Sequence, residues 1–379
     1  MNPSFDRVVI VGVGLIGGSL ALALRALDPT PHVTGIQRHA EARAWAVAHG
    51  VLDDALPPEG EATDRALMDA DLVVLGTPAR AERQWLERLG DLGFRGVVTD
   101  VASTKAGVVA TAKRSLAEGA CFVGGHPMAG SERSGVESAD ADLFRGAYYV
   151  LTPASDADAD AYGRLHALVT SIGARAIAIR AEEHDEAVAA ISHVPHVAAA
   201  ALTNLAAARA AAGDEVLRLA AGGFKDMTRI AAGPADLWTG ICFDNRDAVL
   251  RGLREYGAQV GDFAGLLEAG DRAGVTAWLS RAADVRSSLP AQWVPASTRL
   301  RELAVPVSDH PGAVSTVAQA AAHAGCNIED IGIDHQSEDS AVLRLVLTDE
   351  GDLDALLAAL QDAGLEPDLE PLRLEGGGA

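Results

Sequence analysis

A short apolar strand that runs straight into three spaced glycines constrains the fold of this chain more than any other feature of it. The strand is Val8–Val11, and the glycines follow as Gly12-x-Gly14-x-x-Gly17 at the start of a helical pattern. Glycines at this spacing permit a tight turn and let a pyrophosphate approach the N-terminus of the helix. A glycine-rich strand–helix turn without a ligand shares the pattern, but its position after a strand favours a dinucleotide site.

The second predicted strand ends without the acidic residue that usually holds the ribose hydroxyls. That residue is expected about 20 residues beyond the glycines, where the chain instead has Gln37 followed by Arg38. A cation here suits a 2′-phosphate, although Arg38 could equally be a solvated loop residue that stacks on the adenine. Use of NADP, or of both cofactors, is therefore at least as well supported as strict use of NAD. The predicted cofactor contacts are Gly12, Gly14, Leu15, Ile16, Gly17, Gln37, Arg38 and Thr77.

The bulk properties argue against several classes of protein. At 379 residues the chain is long enough for two or three cores, because domains usually contain about 100–200 residues. A net charge of −22 with no basic run argues against nucleic acid or an anionic membrane as a partner. The three cysteines are far apart and form no CxxC pair, which argues against a disulfide framework and a thiolate zinc site. With no signal-like N-terminus and no apolar run of about 18 residues, we expect no membrane span and a cytoplasmic location.

Residues 1–180 alternate apolar runs with helical patterns. This alternation predicts an α/β domain built on a parallel, doubly wound sheet of the Rossmann type. Ligands on such sheets lie beyond the carboxyl ends of the strands, and the glycine turn and Gln37 both fall at such an end. The predicted strands are Val8–Val11, His32–Ile36, Leu72–Gly76, Val97–Val101, Phe122–Gly124, Tyr148–Leu151 and Ala176–Ile179.

The rest of the chain changes pattern twice. Residues 181–290 show no convincing strand and include a long alanine-rich helical stretch, Glu182–Ala212. This stretch is either a buried helix within one subunit or, as we favour, part of a helical dimerisation core. Residues 291–298 are a predicted linker. Residues 299–375 follow the order βαββαβ, which predicts a ferredoxin-like α+β domain.

His126 is the candidate catalytic base. It follows the predicted strand Phe122–Gly124 in a glycine-rich loop, and a neutral imidazole can accept a hydroxyl proton near pH 7 as hydride departs from the same carbon. Ser103, at the end of another predicted strand, could bond the imidazole or the substrate hydroxyl. Alternatively, Ser103 or Thr104 caps the helix that follows. Beside a cofactor fold, this imidazole favours hydride transfer assisted by a histidine base.

Two motifs in the helical region supply further polar side chains. His193 and His196 are spaced as a possible metal-binding pair, but no glutamate follows His193 and no third ligand is evident, so we predict no metal site. We favour substrate contact or interface packing for this pair. Lys225 and Arg229 would share a face of a helix. The Arg229 guanidinium could grip a carboxylate bidentately or form a surface ion pair.

Taken together, these motifs resemble the prephenate/arogenate dehydrogenase family of tyrosine biosynthesis. The resemblance covers most of the chain and is most specific in Gly125–Glu132, Ser192–His196 and Gly223–Ile230, with Trp238 downstream. It implies oxidative decarboxylation of a cyclohexadienyl diacid with NAD or NADP as cofactor.

The resemblance also implies roles for individual residues. His126 would deprotonate or polarise the ring hydroxyl, Ser103 would hold that hydroxyl and the imidazole, and Arg229 would bind a substrate carboxylate. His184 and Asp226 match supporting positions. The implied substrate contacts are Arg229, His196, His193, Ser131 and Glu132.

Two further implications concern assembly and regulation. Members of the family dimerise through the helical domain, which implies a homodimer. The segment Pro306–Gly312, with Asn327 and Ile328, resembles an ACT domain, an amino-acid-sensing module present in some members. Feedback inhibition by tyrosine would follow. The implied effector contacts are Asp309, Pro311, Gly312, Asn327 and Ile328.

The sequence leaves the substrate open. We favour prephenate, and the alternative is arogenate or a broad cyclohexadienyl range, because the two substrates differ only in a keto or an amino side chain. Two other classes compete, namely a sensor that binds ligands without chemistry and a 3-hydroxyacid dehydrogenase. The complete set of His126, Ser103 and Arg229 argues against the sensor. A 3-hydroxyacid dehydrogenase would be expected to place a catalytic lysine in its helical domain, and Lys225 is the only lysine in that region.

Overall fold

A computed structural model of the chain describes residues 5–130, 133, 135–153, 159–211, 216–288, 301–308, 310, 312–335, 340–347 and 351–371. The chain forms two compact units, Met1–Ala264 and Gly265–Ala379. The predicted linker at 291–298 lies outside the described residues.

The N-terminal unit is built on an eight-stranded sheet with strand order 3-2-1-4-5-6-7-8. The central strand Leu72–Leu75 consists of four buried apolar residues, as expected for a strand covered by helices on both faces. The elements are β1 (Arg7–Val11), α1 (Leu15–Arg25), β2 (His32–Ile36), α2 (Ala40–Ala48), β3 (Asp54–Leu56), α3 (Glu61–Met68), β4 (Leu72–Leu75), α4 (Ala79–Asp91), β5 (Val97–Asp100), α5 (Ala106–Ser115), β6 (Cys121–Pro127), β7 (Tyr148–Pro153), α6 (Ala159–Ser171) and β8 (Arg175–Ala178).

The doubly wound α/β sheet is confirmed, but the prediction that it is parallel throughout is wrong at one edge. Strands β1 to β6 are parallel, whereas β7 runs antiparallel to β6 and β8 is parallel to β7. A parallel return needs a crossover of a dozen or more residues, usually a helix. The connection between β6 and β7, residues 128–147, is long enough for a crossover, but its described part forms only turns, among them the 3-10 turn Val136–Ser138. With no helix there to carry the chain back across the sheet, β7 runs antiparallel to β6.

His126 lies within β6, not in a loop after it, which corrects the sequence prediction. It is paired with Val150 of β7. The preceding glycines are extended strand residues that allow close packing: a Cβ on Gly124 would overlap the hydroxyl of Thr152, and one on Gly125 would lie 2.5 Å from the carbonyl oxygen of Asp100. These glycines therefore serve close approach and do not mark a loop.

The sheet is followed by helices that begin with one continuous helical stretch, Ala181–Ala211. By length and composition alone this stretch could cross a membrane, which is weak evidence, because a core helix of a soluble protein passes the same test. Its N-terminal part carries the buried side chains of His184 and Asp185. The elements are α7 (Ala181–Val188), a π-helical turn (Ala189–His193), α8 (Val194–Ala211), α9 (Gly222–Thr228), a 3-10 turn (Arg229–Ala232), α10 (Ala235–Asp244) and α11 (Arg246–Glu268).

The π-helical turn has a local cause in the sequence. The amide of Val194 donates to the carbonyl oxygen of Ala189, five residues back. Pro195 follows and has no N–H to donate to Ile191, four residues before it. A widened turn accommodates such a lost hydrogen bond without ending the helix.

The C-terminal unit contains a four-stranded antiparallel sheet in the order β10-β11-β9-β12. In β9, Leu303, Val305 and Val307 are buried and alternate with more exposed residues, so the two helices cover one face. The predicted βαββαβ order is confirmed, and the strand order is that of the split βαβ arrangement. The elements are α12 (Arg272–Ser288), β9 (Arg301–Ser308), α13 (Ala313–His323), β10 (Ile328–His335), β11 (Ser340–Leu347), α14 (Leu353–Asp362) and β12 (Asp368–Pro371).

Candidate active site

The three glycines after β1 occupy three different environments. Gly12 has a φ of +90°, and a Cβ there would lie 2.6 Å from the carbonyl oxygen of Gly76. A Cβ on Gly17 would overlap the carbonyl oxygen of Gly12, whereas the space within 4 Å of Gly14 is open. A tight turn, an open approach and close helix–strand packing are the roles that a dinucleotide-binding turn assigns to its three glycines.

Neighbouring groups complete this cradle. Leu15 and Ile16 open α1, whose first turn contains no acidic residue. Its N-cap residue, Gly14, has no side chain that could bond the first amides. The first amides of α1 are therefore available to an anion. Thr77 packs against Gly12, and its buried hydroxyl has no hydrogen-bond partner among the described residues. The cradle fits a dinucleotide.

Two arginines lie at the end of β2, the predicted Arg38 and also Arg43, which the sequence analysis did not identify. Gln37 donates from Nε2 to the carbonyl oxygen of Val13 at 3.1 Å and accepts from the Arg38 amide at 2.7 Å. The Arg43 guanidinium donates to the carbonyl oxygens of Gln37 and Arg38, each at 2.7 Å. The exposed Arg38 side chain makes no hydrogen bond or ion pair within the described part of the chain. No carboxylate takes the position that usually binds the ribose.

A hydrogen-bonded chain of three side chains orients His126. Its Nδ1 lies 2.8 Å from Nε2 of His184, and Nδ1 of His184 lies 2.9 Å from Oδ1 of Asp185. An ionised carboxylate only accepts, so Nδ1 of His184 carries a proton and its Nε2 accepts from His126. His126 is then protonated on Nδ1, which leaves the lone pair of its Nε2 free. The arrangement gives a neutral imidazole whose free nitrogen can act as a base.

Asp185 also caps α5 from a distant part of the sequence. Its carboxylate accepts from the amides of Lys105 at 2.7 Å and Ala106 at 2.8 Å, and its carbonyl oxygen accepts from Nδ2 of Asn245 at 2.7 Å. The alternative that Ser103 or Thr104 caps this helix is wrong, because its N-cap residue is Lys105 and the amides of Lys105 and Ala106 donate to Asp185 instead. Sequence reasoning missed Asp185 and Asn245, since their partners lie far away along the chain.

A buried ion pair lies beneath the imidazole. The Asp100 carboxylate accepts from Nζ of Lys105 and from the amides of Gly125 and Ala102, each of the latter at 3.0 Å. Burial holds the pKa of His126 well below its ordinary value of 6.5, and the Lys105 ammonium lowers that pKa further. His126 is therefore neutral at neutral pH.

Glu82, on α4, is a second buried carboxyl that sequence reasoning missed. It is 0% exposed, and neither oxygen has a hydrogen-bond partner among the described residues. Burial raises its pKa well above 4.5, and the nearby charge of Asp100 raises that pKa further. The side chain is thus stable in its protonated form. No periodicity in the sequence distinguishes this glutamate from the exposed ones on the same helix.

The predicted substrate histidines lie against an aromatic ring. His196 stacks on Trp238 with ring centroids 3.5 Å apart, and His193 meets the same ring edge-on at 6.2 Å. Burial lowers the pKa of His193 to about 4 and also lowers that of His196. The buried Nδ1 of His196 has no partner in the described chain. These neutral imidazoles offer hydrogen-bonding groups to a ligand.

The remaining predicted residues differ in how far the structure describes them. Arg229 begins the 3-10 turn that packs on α8, and its exposed guanidinium makes no ion pair within the described ranges. Ser103 is half-buried and does not bond the His126 ring; in the described chain that ring bonds His184. Ser131 and Glu132 lie outside the described residues.

In the C-terminal unit the predicted effector positions are partly described. Gly312 is the N-cap of α13 with a φ of +105°, a conformation that favours glycine. Asn327 directly precedes β10, which begins at Ile328. Asp309 and Pro311 lie outside the described residues. Among the residues that are described, no group of three or more His, Cys, Asp or Glu could hold a metal ion.

An α/β sheet with a dinucleotide cradle and a neutral, oriented imidazole defines a nicotinamide-dependent oxidoreductase. Comparison with known families agrees with this class. Residues 20–178 match the nucleotide-binding domain of prephenate dehydrogenase, and residues 180–281 match its dimerization domain. The chain is 34% identical to a prephenate dehydrogenase of Bacillus subtilis over 355 residues, which cover 93% of this chain and 95% of that protein. The chain belongs to the prephenate dehydrogenase family.

Solved structures give the same result. The prephenate dehydrogenase of Aquifex aeolicus, in complex with hydroxyphenyl propionate and NAD+, matches with a TM-score of 0.72 and 27% identity over 76% of this chain and 100% of that one. The arogenate dehydrogenase of Synechocystis matches with a TM-score of 0.64 and 30% identity over 74% of this chain and 99% of that one. A prephenate dehydrogenase and an arogenate dehydrogenase therefore share this fold.

Glu82→Gln tests the buried carboxyl. The raised pKa means that Glu82 adds stability below about pH 4.5 that is lost as the pH rises through its folded-state pKa. Glutamine keeps the shape and cannot ionise, so the variant should melt roughly a few °C above the parent at about pH 8 and lose less stability between about pH 5 and pH 8. Thermal unfolding followed by circular dichroism measures both. Glu87→Gln, an exposed change on the same helix, should have little effect; equal shifts in both variants would contradict the assignment.

Proposed function

We propose that this protein catalyses the NAD(P)-dependent oxidative decarboxylation of prephenate to 4-hydroxyphenylpyruvate. The observation that carries the proposal is the chain from His126 through His184 to Asp185, in the same sheet domain as the dinucleotide cradle. The family match and the B. subtilis relative of nearly equal length support it. Arogenate, or both substrates, is the alternative, and the Synechocystis neighbour keeps it open.

The side chains divide the chemistry between them. The bound nicotinamide supplies the acceptor for the hydride that leaves the hydroxyl-bearing ring carbon. Nε2 of His126 takes the hydroxyl proton, and the negative charge of Asp185, transmitted through His184, stabilises the imidazolium that forms. Ser103 holds the hydroxyl, while Arg229 grips a carboxylate. Loss of carbon dioxide aromatises the ring and makes the reaction effectively irreversible.

His126→Ala should lower turnover with prephenate by roughly 10²–10⁴-fold while cofactor affinity stays intact, because it removes the base but not the cradle. Arg229→Ala should instead mainly raise KM, because it removes a carboxylate contact. Reduced-nicotinamide absorbance, with NAD and NADP in parallel, measures both variants. Unchanged turnover in His126→Ala would sink the proposal. If the unaltered protein turns over arogenate and not prephenate, the alternative substrate is correct.

We infer that the end of β2 accepts the 2′-phosphate of NADP. The exposed Arg38 side chain and the anchored Arg43 supply positive charge there, and Gln37 brings no repulsion. This supports NADP use at least as strongly as NAD use.

Arg38→Ala should therefore lower kcat/KM for NADP by about tenfold, since it removes a charge-assisted hydrogen bond to the phosphate. The value for NAD in the same variant is the internal control and should change little. Gln37→Asp should shift the preference the other way, because a carboxylate repels the phosphate and binds the ribose hydroxyls. Parallel losses for both cofactors in Arg38→Ala would rule out a role in selectivity.

We further propose a homodimer formed through the helical region, residues 181–290. The match of residues 180–281 to a dimerization domain supports this, as do large apolar side chains on the surface of the region: Leu219 is 80% exposed, Phe243 73% and Ile191 68%. Sedimentation equilibrium should give the mass of two chains, and Phe243→Asp should weaken association. Met68→Asp, at an exposed position on α3, is the control. A monomer before substitution would contradict the proposal.

A cytoplasmic location stays a prediction from the sequence.

We also propose that residues 299–375 form an ACT module that binds tyrosine. The split βαβ order and the left-handed Gly312 before α13 support it. Tyrosine should then inhibit the full chain more strongly than a chain without residues 298–379, because the effector contacts at Asn327 and Ile328 would be gone. Initial rates over a tyrosine titration measure this. Identical inhibition curves would rule the module out as the sensor.

A further inference from the structure

A cavity of about 680 Å³ lies between α5, strands β6 and β7, and the start of α7. Its volume falls within the roughly 300–1,000 Å³ that small-molecule sites occupy. His126, Ser103, His196 and Arg229 are not among the described residues that line it, so it is separate from the candidate active site. Phe122 and Leu116 supply apolar surface on which a ring could pack.

Polar groups border this cavity. The lining residue Thr152 is 1% exposed, and its hydroxyl has no hydrogen-bond partner among the described residues. The N-terminus of α7 forms part of the wall, and its N-cap residue, Arg180, makes no side-chain hydrogen bond to it. The first amides of the helix can therefore donate to a carboxylate, and the first turn also carries the acidic Glu182 and Glu183.

Two cationic side chains line the cavity, one from α5 and one from the residue before α7. Lys113 is exposed and makes no ion pair or hydrogen bond within the described chain. Arg180 has only a 3.8 Å contact with Glu182 between exposed side chains, which stabilises little. Glu182 also lines the cavity and repels a second negative charge. The charges therefore suit a ligand with one carboxylate better than a dianion.

We propose that this cavity binds a small aromatic monocarboxylate, whose ring packs on Phe122 and Leu116 and whose carboxylate meets Lys113, Arg180 and the N-terminus of α7. The cavity walls include Ala106, whose amide donates to Asp185, and the first turn of the helix that carries His184 and Asp185. An occupant touches both elements that hold Asp185 and so acts on the orientation of His126. This second, regulatory part rests on the proposed dehydrogenase activity, whereas binding does not.

Binding is tested on the full chain with 4-fluorophenylacetate as the probe, followed by broadening of its ¹⁹F resonance. Lys113→Glu and Arg180→Glu should each weaken cavity binding by about tenfold, because each reverses one charge at the carboxylate. Arg114→Glu, the adjacent position on α5 that does not line the cavity, is the matched control and should leave binding unchanged. Ala110→Trp should abolish it by filling the space. Equal losses in Lys113→Glu and Arg114→Glu, or full binding in Ala110→Trp, would overturn the site.

Coupling is tested separately by initial rates at saturating prephenate, where competition at the active site is suppressed. The probe should change kcat by about twofold or more in the unaltered protein and in Arg114→Glu, but not in Lys113→Glu. Binding without any change in kcat would overturn the regulatory part. If prephenate is not turned over at all, the proposed function fails, and the ¹⁹F experiment still decides whether the cavity binds the probe.

Discussion

The Asp185 carboxylate is the contact on which the active site depends. It accepts from two amides at the start of α5 and from His184, so one side chain caps a helix and fixes the tautomer of an imidazole. These partners come from sequence positions about eighty residues apart. The helical part of the N-terminal unit is thereby joined to the start of α5, beside the hydrogen-bonded chain that orients His126. Removing this carboxylate would release the helix end and the proton chain together.

A buried ion pair sets the electrostatic surroundings of the His126 imidazole. Lys105 and Asp100 are both completely buried, and such a pair is retained only where further hydrogen bonds satisfy its remaining groups. The amides of Gly125 and Ala102 provide them to Asp100. The resulting ammonium helps to keep His126 neutral, which links the core of the sheet to the protonation state of the base.

The sequence predicted local features well and distant pairings poorly. The glycine turn, the strand Phe122–Gly124 and the βαββαβ order have short-range patterns, and the structure contains all three, with that strand extended to include His126. The antiparallel direction of β7 follows from the lack of a crossover helix in the described part of the connection, which no short-range pattern reveals. The glycines of β6 resemble a loop in the sequence, whereas in the structure they make room for neighbours such as Thr152. Asp185, Asn245 and Glu82 have no pattern of their own, since burial and partners across the fold alone distinguish them from ordinary helix residues.

The π-helical turn at Ala189–His193 sets the angular phase between two halves of one helix. The half before it carries His184, and the half after it carries His196. One residue of an α-helix corresponds to a rotation of about 100°. The widened turn therefore determines the direction in which the side chains of the second half point relative to those of the first half. A chain one residue shorter there would keep both halves helical yet turn His196 away from its present face. The orientation of His196 relative to His184 is thus fixed by a single turn and the proline that follows it.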